Sequence, residues 1–189
     1  MTIANDITKI HLPQPKYKIL KEISERWSPR YFSDKPVSTD HLNIIFEAAR
    51  WAPSGHNDQP WYFYYAQKGT SSYDKLFSTL VEYNQSWAKT APVLILACAI
   101  TEDNPYAIYD LGAAVLSLVL QAQSFDYYSR QMALFDQEKV KQIFKLEKNL
   151  QPYTIIAMGK IGDHDKAPKE IIDFEISPRP RKTDFFKEL

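Results

Sequence analysis

The sequence predicts a single α+β domain, and three observations carry that expectation. The chain has 189 residues, enough for one well-buried core and short for two. Two apolar, strand-like runs stand at 61–66 and 92–100, with helical patterns before, between and after them. These patterns follow one another without regular β-α alternation, which favours α+β over a doubly wound sheet.

The elements follow in order. Residues 1–16 are polar and punctuated by Pro13 and Pro15, so they read as an N-terminal arm outside the core unless something ties them down. Ile19, Leu20, Ile23 and Trp27 predict a helix over 17–27 that stops before Pro29. Ser38 precedes Leu42, Ile45, Phe46 and Ala49 at helical spacing, which predicts a capped helix over 39–51. The block 53–60 has almost nothing to bury and reads as a loop. An aromatic strand over 61–66 and a helical stretch around 72–81 come next. The continuous apolar run 92–100 predicts a strand covered on both faces.

A long helix over 106–123 carries Ala113, Ala114, Val115, Leu116, Leu118, Val119 and Leu120. That leaves little polar face, so its own chain or a partner must cover it nearly all round. A short helix over 137–144 and a strand over 153–159 close the compact part. Beyond Lys160 the chain turns polar and ends near the basic cluster Arg179-Pro180-Arg181-Lys182.

Composition excludes several functions. Lys plus Arg equals Asp plus Glu at 23 each, so no net field draws in nucleic acid or an anionic membrane, and a bound anion must be gripped by a local cluster. No apolar run approaches the roughly 20 residues that span a bilayer, and the first thirty residues lack the pattern of a secretory signal. The lone Cys98 sits inside an apolar run, which suits a buried strand rather than a reactive thiolate and fits a reducing, cytoplasmic setting. His56 has no second His, Cys or carboxylate at ligand spacing, so no metal site is expected.

Three separated clusters carry the chemistry. In Arg26-Trp27-Ser28-Pro29-Arg30 two guanidinium groups and a hydroxyl fall on alternate residues, which in extended chain share a face and can reach one anion. Read alone, the same stretch reads first as a solvated basic turn. In the loop at 53–60, Ser54, Asn57 and Gln59 donate and accept, and Gly55 lets backbone approach a planar ring. Arg179 and Arg181 stand one residue apart and are able to fork onto a phosphate, or to dissolve into a solvated tail.

Taken together these clusters resemble the FMN-dependent nitroreductase family. Arg26 to Phe32 is similar to its Arg-x-Ser-x-Arg/Lys-x-Phe signature. Ala52-Pro53-Ser54-Gly55-His56-Asn57-Asp58-Gln59-Pro60-Trp61 resembles its Pro-Ser-x-x-Asn-x-Gln-Pro-Trp loop. Asn84 ahead of the apolar strand, Asp110-Leu111-Gly112-Ala113-Ala114 at the start of the long helix, and Arg179-x-Arg181 complete an ordered set of five motifs spanning residues 26–182.

The resemblance implies a three-layer sandwich over 17–189, with a central, mostly antiparallel sheet flanked by helices. It implies a homodimer with composite active sites, the C-terminal part being the stretch that would extend onto the partner subunit. FMN would be tightly bound, its phosphate held by Arg26, Ser28, Arg30, Arg179 and Arg181 with Trp27 beside them. Arg30 would also lie near the N1 and O2 edge of the ring, and Asn84 would pair with its pyrimidine edge. Pro53, Ser54, Gly55, Asn57 and Gln59 would come from the other subunit, and Ala133 and Leu134 would face flavin N5.

NAD(P)H would act as transient reductant and a nitroaromatic, quinone or related small-molecule acceptor as oxidant. Hydride would move through N5 in a ping-pong cycle that needs no side-chain acid, base or nucleophile. Leu134 stands where the family often has Gly, and Trp87 where some members carry Lys. Those departures motivate a second reading, a flavin-binding or flavin-sequestering protein with little turnover. A third is an anion-binding or structural domain without flavin.

Overall fold

The computed structural model describes Ile7 and residues 10–188. A four-stranded sheet forms its middle layer: β1 (Trp61–Gln67), β2 (Val93–Ile100), β3 (Tyr128–Met132) and β4 (Leu150–Gly159). The strand order is β1-β2-β4-β3 and every pairing is antiparallel. β2 is central, and its residues split by parity as a strand buried on both faces must. Val93, Ile95, Ala97 and Ala99 enter one core with α2 (Thr39–Arg50) and α5 (Ala107–Ser124). Leu94, Leu96 and Cys98 enter the other with α3 (Ser71–Phe77), α4 (Glu82–Ala88) and α6 (Gln137–Phe144). The result is the α+β three-layer sandwich, helices over both faces of one sheet.

α2 begins where the sequence places it. Ser38 is extended and its side chain accepts the His41 N–H at 3.2 Å, satisfying one of the helix's open donors. Ser38→Ala is expected to cost about 1 kcal/mol, measured as a lower urea midpoint at unchanged slope. Cys98 is fully buried, and burial pushes its thiol up to about 12. Native protein at pH 8 is therefore expected to leave a thiol-reactive dye unconsumed, and denatured protein to consume one equivalent.

Several elements differ from the sequence expectation. The helix over 17–27 shrinks to α1 (Lys21–Glu25), which buries no residue, and Ile19, Leu20 and Ile23 are exposed. Of that apolar stripe only Trp27 is buried, and it lies past the helix, so periodicity overstated the helix. The stretch around 72–81 divides: α3 ends at Phe77, Leu80 bridges to Phe135, and α4 starts at Glu82. β4 begins at Leu150 rather than 153 and contains Pro152. Pro152 is tolerated because β3 pairs only with Ile155 to Gly159, so its missing N–H removes no ladder bond on that side. A register irregularity at Ala97/Cys98 accommodates it on the β2 side.

Three elements were not expected, and the first is α4, which lies wholly beyond the stretch 72–81. β3 is short and polar, and α7 (Lys169–Glu175) sits in the stretch read as a polar tail. Of the arm at 1–16, residues 1–6, 8 and 9 lie outside the described residues, as does Leu189. Ile7 and His11 are buried, and His11 is tied to the carboxyl end of α7.

The long helix α5 is covered on one side only. Leu111, Ala114, Leu118 and Ala122 are buried, whereas Ile108, Tyr109 and Leu116 are exposed. Gly112 lies among these exposed residues, and a Cβ placed there would meet nothing within 4 Å.

Candidate functional site: a basic cavity built from both ends of the chain

The two ends of the chain meet at a cavity of about 250 Å³. Arg26, Ser28 and Arg30 arrive on the extended segment after α1, and Arg179 and Arg181 arrive on the segment after α7. All five line the cavity, and Trp27 lines it with them. The separation in sequence is bridged because α7 packs Ile171 into the core and places Glu175 beside Arg30.

Each guanidinium is held differently. Arg26 donates from Nη1 to Ser28 Oγ at 3.2 Å. Arg30 lies over the Phe174 ring at 4.5 Å, and its Nη1 stands 3.8 Å from Glu175 Oε1. Arg179 donates to three backbone carbonyls, those of Arg26, His11 (2.8 Å) and Ser24 (3.2 Å). It therefore acts first as a clamp joining the N-terminal arm, α1 and the C-terminal segment. Arg181 donates to the Arg179 and Pro180 carbonyls at 3.2 and 3.0 Å and stays exposed.

Arg130, which the motifs did not single out, is the fifth guanidinium of the cavity. It donates to the Ser28 carbonyl at 2.6 Å and lies 5.4 Å over the buried Trp87 ring. The signal was thin: Arg130 is one polar residue among Tyr128-Ser129-Arg130-Gln131, and only the β3 pairing turns it inward. Trp87 is thus a core residue beneath an arginine.

The electrostatics match this crowding. Burial lowers the pKa of Arg26, and repulsion by Arg181 lowers it further. Arg130 is lowered by burial and then by Arg30, and Arg179 by burial, then Arg181 and Arg26. All remain cationic, so the cavity gathers positive charge that the sequence-wide balance conceals. Arg30 Nε and His11 Nδ1 are buried without a hydrogen-bond partner among the described residues, a condition that a multivalent oxygen anion would relieve.

The other expected residues lie in two further places. Pro53, Ser54, Gly55, Asn57 and Gln59 form the connection between α2 and β1, and none lines the cavity. Their loop is fixed internally: Ser54 Oγ accepts the Gln59 N–H at 3.0 Å, and Gln59 Nε2 donates to the Asn57 carbonyl at 2.9 Å. Buried Asp110 at the start of α5 accepts the Gly55 N–H at 3.1 Å. His56, Asn57 and Gln59 all take positive φ, so hydrogen bonds hold an otherwise disfavoured backbone. Asn84 is buried on α4 and donates to the Leu134 carbonyl at 3.0 Å, which joins Asn84 to the exposed stretch at Ala133 and Leu134. No group of three or more His, Cys, Asp or Glu able to hold a metal occurs among the described residues.

Fold and site together define an α+β sandwich that collects arginines from distant segments around one cavity. The Nitroreductase family model matches residues 23–77 and 66–160. A solved structure described as an oxidoreductase containing FMN is 30% identical, covers 93% of this chain and 94% of its own, and superposes with a TM-score of 0.85. An uncharacterized 15.4 kDa protein in the ask 5′ region of Mycolicibacterium smegmatis is 32% identical over 61% of this chain and 82% of its own length. A protein of Archaeoglobus fulgidus, described as a candidate NADH dehydrogenase/NAD(P)H nitroreductase, is 25% identical over 74% of this chain and 83% of its own. This chain belongs to the nitroreductase family, and with it to oxidoreductases of that type.

Proposed function

We propose that this chain is an FMN-dependent NAD(P)H oxidoreductase that reduces nitroaromatics, quinones or related electron acceptors, working as a homodimer. The observation that carries the reading is the cavity lined by five guanidinium groups. A phosphate monoester dianion is the small group whose charge and oxygen array fit that donor set. Family membership and the FMN-containing relative support flavin as the molecule carrying it.

Under this reading Arg26, Ser28, Arg30, Arg130 and Arg181 hold the phosphate, and Arg179 holds the wall. Asn84, tied to Leu134, contributes to the ring site, with the backbone at Ala133 and Leu134 beside it. When bound, FMN would supply the two-electron redox chemistry between NAD(P)H and the acceptor. The protein's part is to fix the ring, admit the two substrates in turn and supply charge where it develops.

The loop at 53–59 would complete the site of the other subunit. Two features support that arrangement: the loop lies outside the cavity and is locked onto α5, and α5 carries the uncovered stripe of Ile108, Tyr109 and Leu116. Exposed Phe185 and Phe186 support an extension of the C-terminal segment across the same boundary. Sedimentation is expected to give a dimer, and a monomer retaining tight FMN would contradict this arrangement.

Purified protein is expected to be yellow or to become so with FMN, and to oxidise NADH or NADPH with a nitroaromatic or quinone in a ping-pong pattern. A colourless protein after incubation with FMN would sink the reading. FMN binding without turnover would instead favour a flavin-sequestering role, which the exposed Leu134 beside Asn84 motivates.

A further inference from the structure

The basic cavity contains one acid. Glu175, at the end of α7, is 1% exposed. Its Oε1 accepts the Arg30 N–H at 2.8 Å and lies 3.8 Å from Arg30 Nη1. Its Oε2 faces His164 Nε2 at 3.5 Å, and its backbone carbonyl faces His11 Nε2 at 2.6 Å. Arg130 also feels its charge. A fully buried carboxylate is costly unless cations repay it, and clustered buried arginines need a counter-charge. An acid inside an anion site satisfies both needs when no anion is bound, and opposes the anion when one is.

We propose that Glu175 is the resident counter-anion of this cavity: it stabilises the protein without cofactor and lowers affinity for the cofactor's phosphate, thereby setting how tightly FMN is held. The inference rests on the FMN reading above. Mechanistically, an incoming phosphate takes over the charge balance of Arg30 and Arg130 that Glu175 otherwise provides, and it meets repulsion from the carboxylate beside them. Glu175→Gln isolates the charge. The amide oxygen still accepts the Arg30 N–H. Because His164 Nδ1 lies 3.1 Å from the Gly162 carbonyl and so donates there, its Nε2 is free in the neutral ring to accept from the new amide.

The test uses flavin-stripped wild type, Glu175→Gln, Arg26→Ala and Arg181→Ala. FMN and riboflavin affinities are read by flavin fluorescence, and thermal midpoints are read with and without ligand. Glu175→Gln is expected to bind FMN about tenfold more tightly than wild type, to bind riboflavin unchanged, and to melt about 2–4 °C lower without flavin. FMN affinity equal to or weaker than wild type overturns the proposal, since the carboxylate then acts only by positioning Arg30. If Arg26→Ala and Arg181→Ala both leave FMN affinity intact, the phosphate is not in this cavity, and the function reading and this proposal fall together. If Arg26→Ala weakens FMN but Glu175→Gln does not tighten it, the proposal alone falls. A Glu175→Gln protein that folds only with FMN or inorganic phosphate present supports the proposal, and one that fails to fold even with both overturns it.

Discussion

Arg26→Ala is expected to weaken FMN binding by about 1–3 kcal/mol, roughly five- to 150-fold in Kd, and Arg181→Ala to do the same. Arg26 is half-buried and repelled by Arg181, and its Nη1 donates to Ser28 Oγ in the cavity wall. Deleting it removes a charge-assisted donor from the phosphate and also removes repulsion from the empty cavity. The flavin-free thermal midpoint is therefore expected to hold or rise while the FMN-induced stabilisation shrinks, a pattern that general misfolding would not produce. Arg179→Ala should behave differently. Its side chain bonds the carbonyls of Arg26, His11 and Ser24, so its loss should lower the flavin-free midpoint and speed hydrogen exchange of the N-terminal arm. Unchanged FMN affinity in both Arg26→Ala and Arg181→Ala would place the phosphate elsewhere.

Leu118→Ala is expected to destabilise the protein by about 2–5 kcal/mol. Leu118 is wholly buried in the core between α5 and the sheet, with Ile45 of α2 and Ile95 of β2 in the same cluster. The surrounding helices cannot collapse fully into the space, so a cavity cost adds to the lost transfer energy. Because α5 also carries Asp110, which holds Gly55, loosening it should release the loop at 53–59 before global unfolding. A loss below 1 kcal/mol at equilibrium in urea would mean that α5 is not packed as described. Leu116→Ala on the exposed side of the same helix should barely change monomer stability and should instead weaken self-association.

Much of the fold was legible because its cause is local. Ser38 caps its helix by a bond made within one turn, the helix of 137–144 starts and ends where its pattern does, and the run at 93–100 is apolar at every position because both faces are covered. What was illegible depended on contacts distant in sequence. β3 is polar and short, and only the ladder to β4 defines it. α7 is seven residues long, and Ile171 and Glu175 reveal their purpose only once they meet the sheet and Arg30. The same division runs through the site. Arg26, Ser28, Arg30 and the Arg179/Arg181 pair could be read from spacing, since alternate residues of extended chain share a face. Arg130, Glu175 and His11 carried no spacing signal, because each is brought to the cavity by a different part of the chain. The backbone carbonyls of Arg26, His11 and Ser24 that Arg179 joins carry no spacing signal either, because they converge only in the folded chain.

The most direct test compares FMN with riboflavin, which differ at the ribityl end only in the phosphate. Isothermal titration of flavin-stripped wild type is expected to show FMN bound at least about a hundredfold more tightly, as several charge-assisted bonds require. The Arg26→Ala/Arg181→Ala double variant should lose most of that difference while keeping its riboflavin affinity. Equal affinity of wild type for the two flavins would contradict the account, because the arginines that gather from opposite ends of the chain would then have no phosphate to hold.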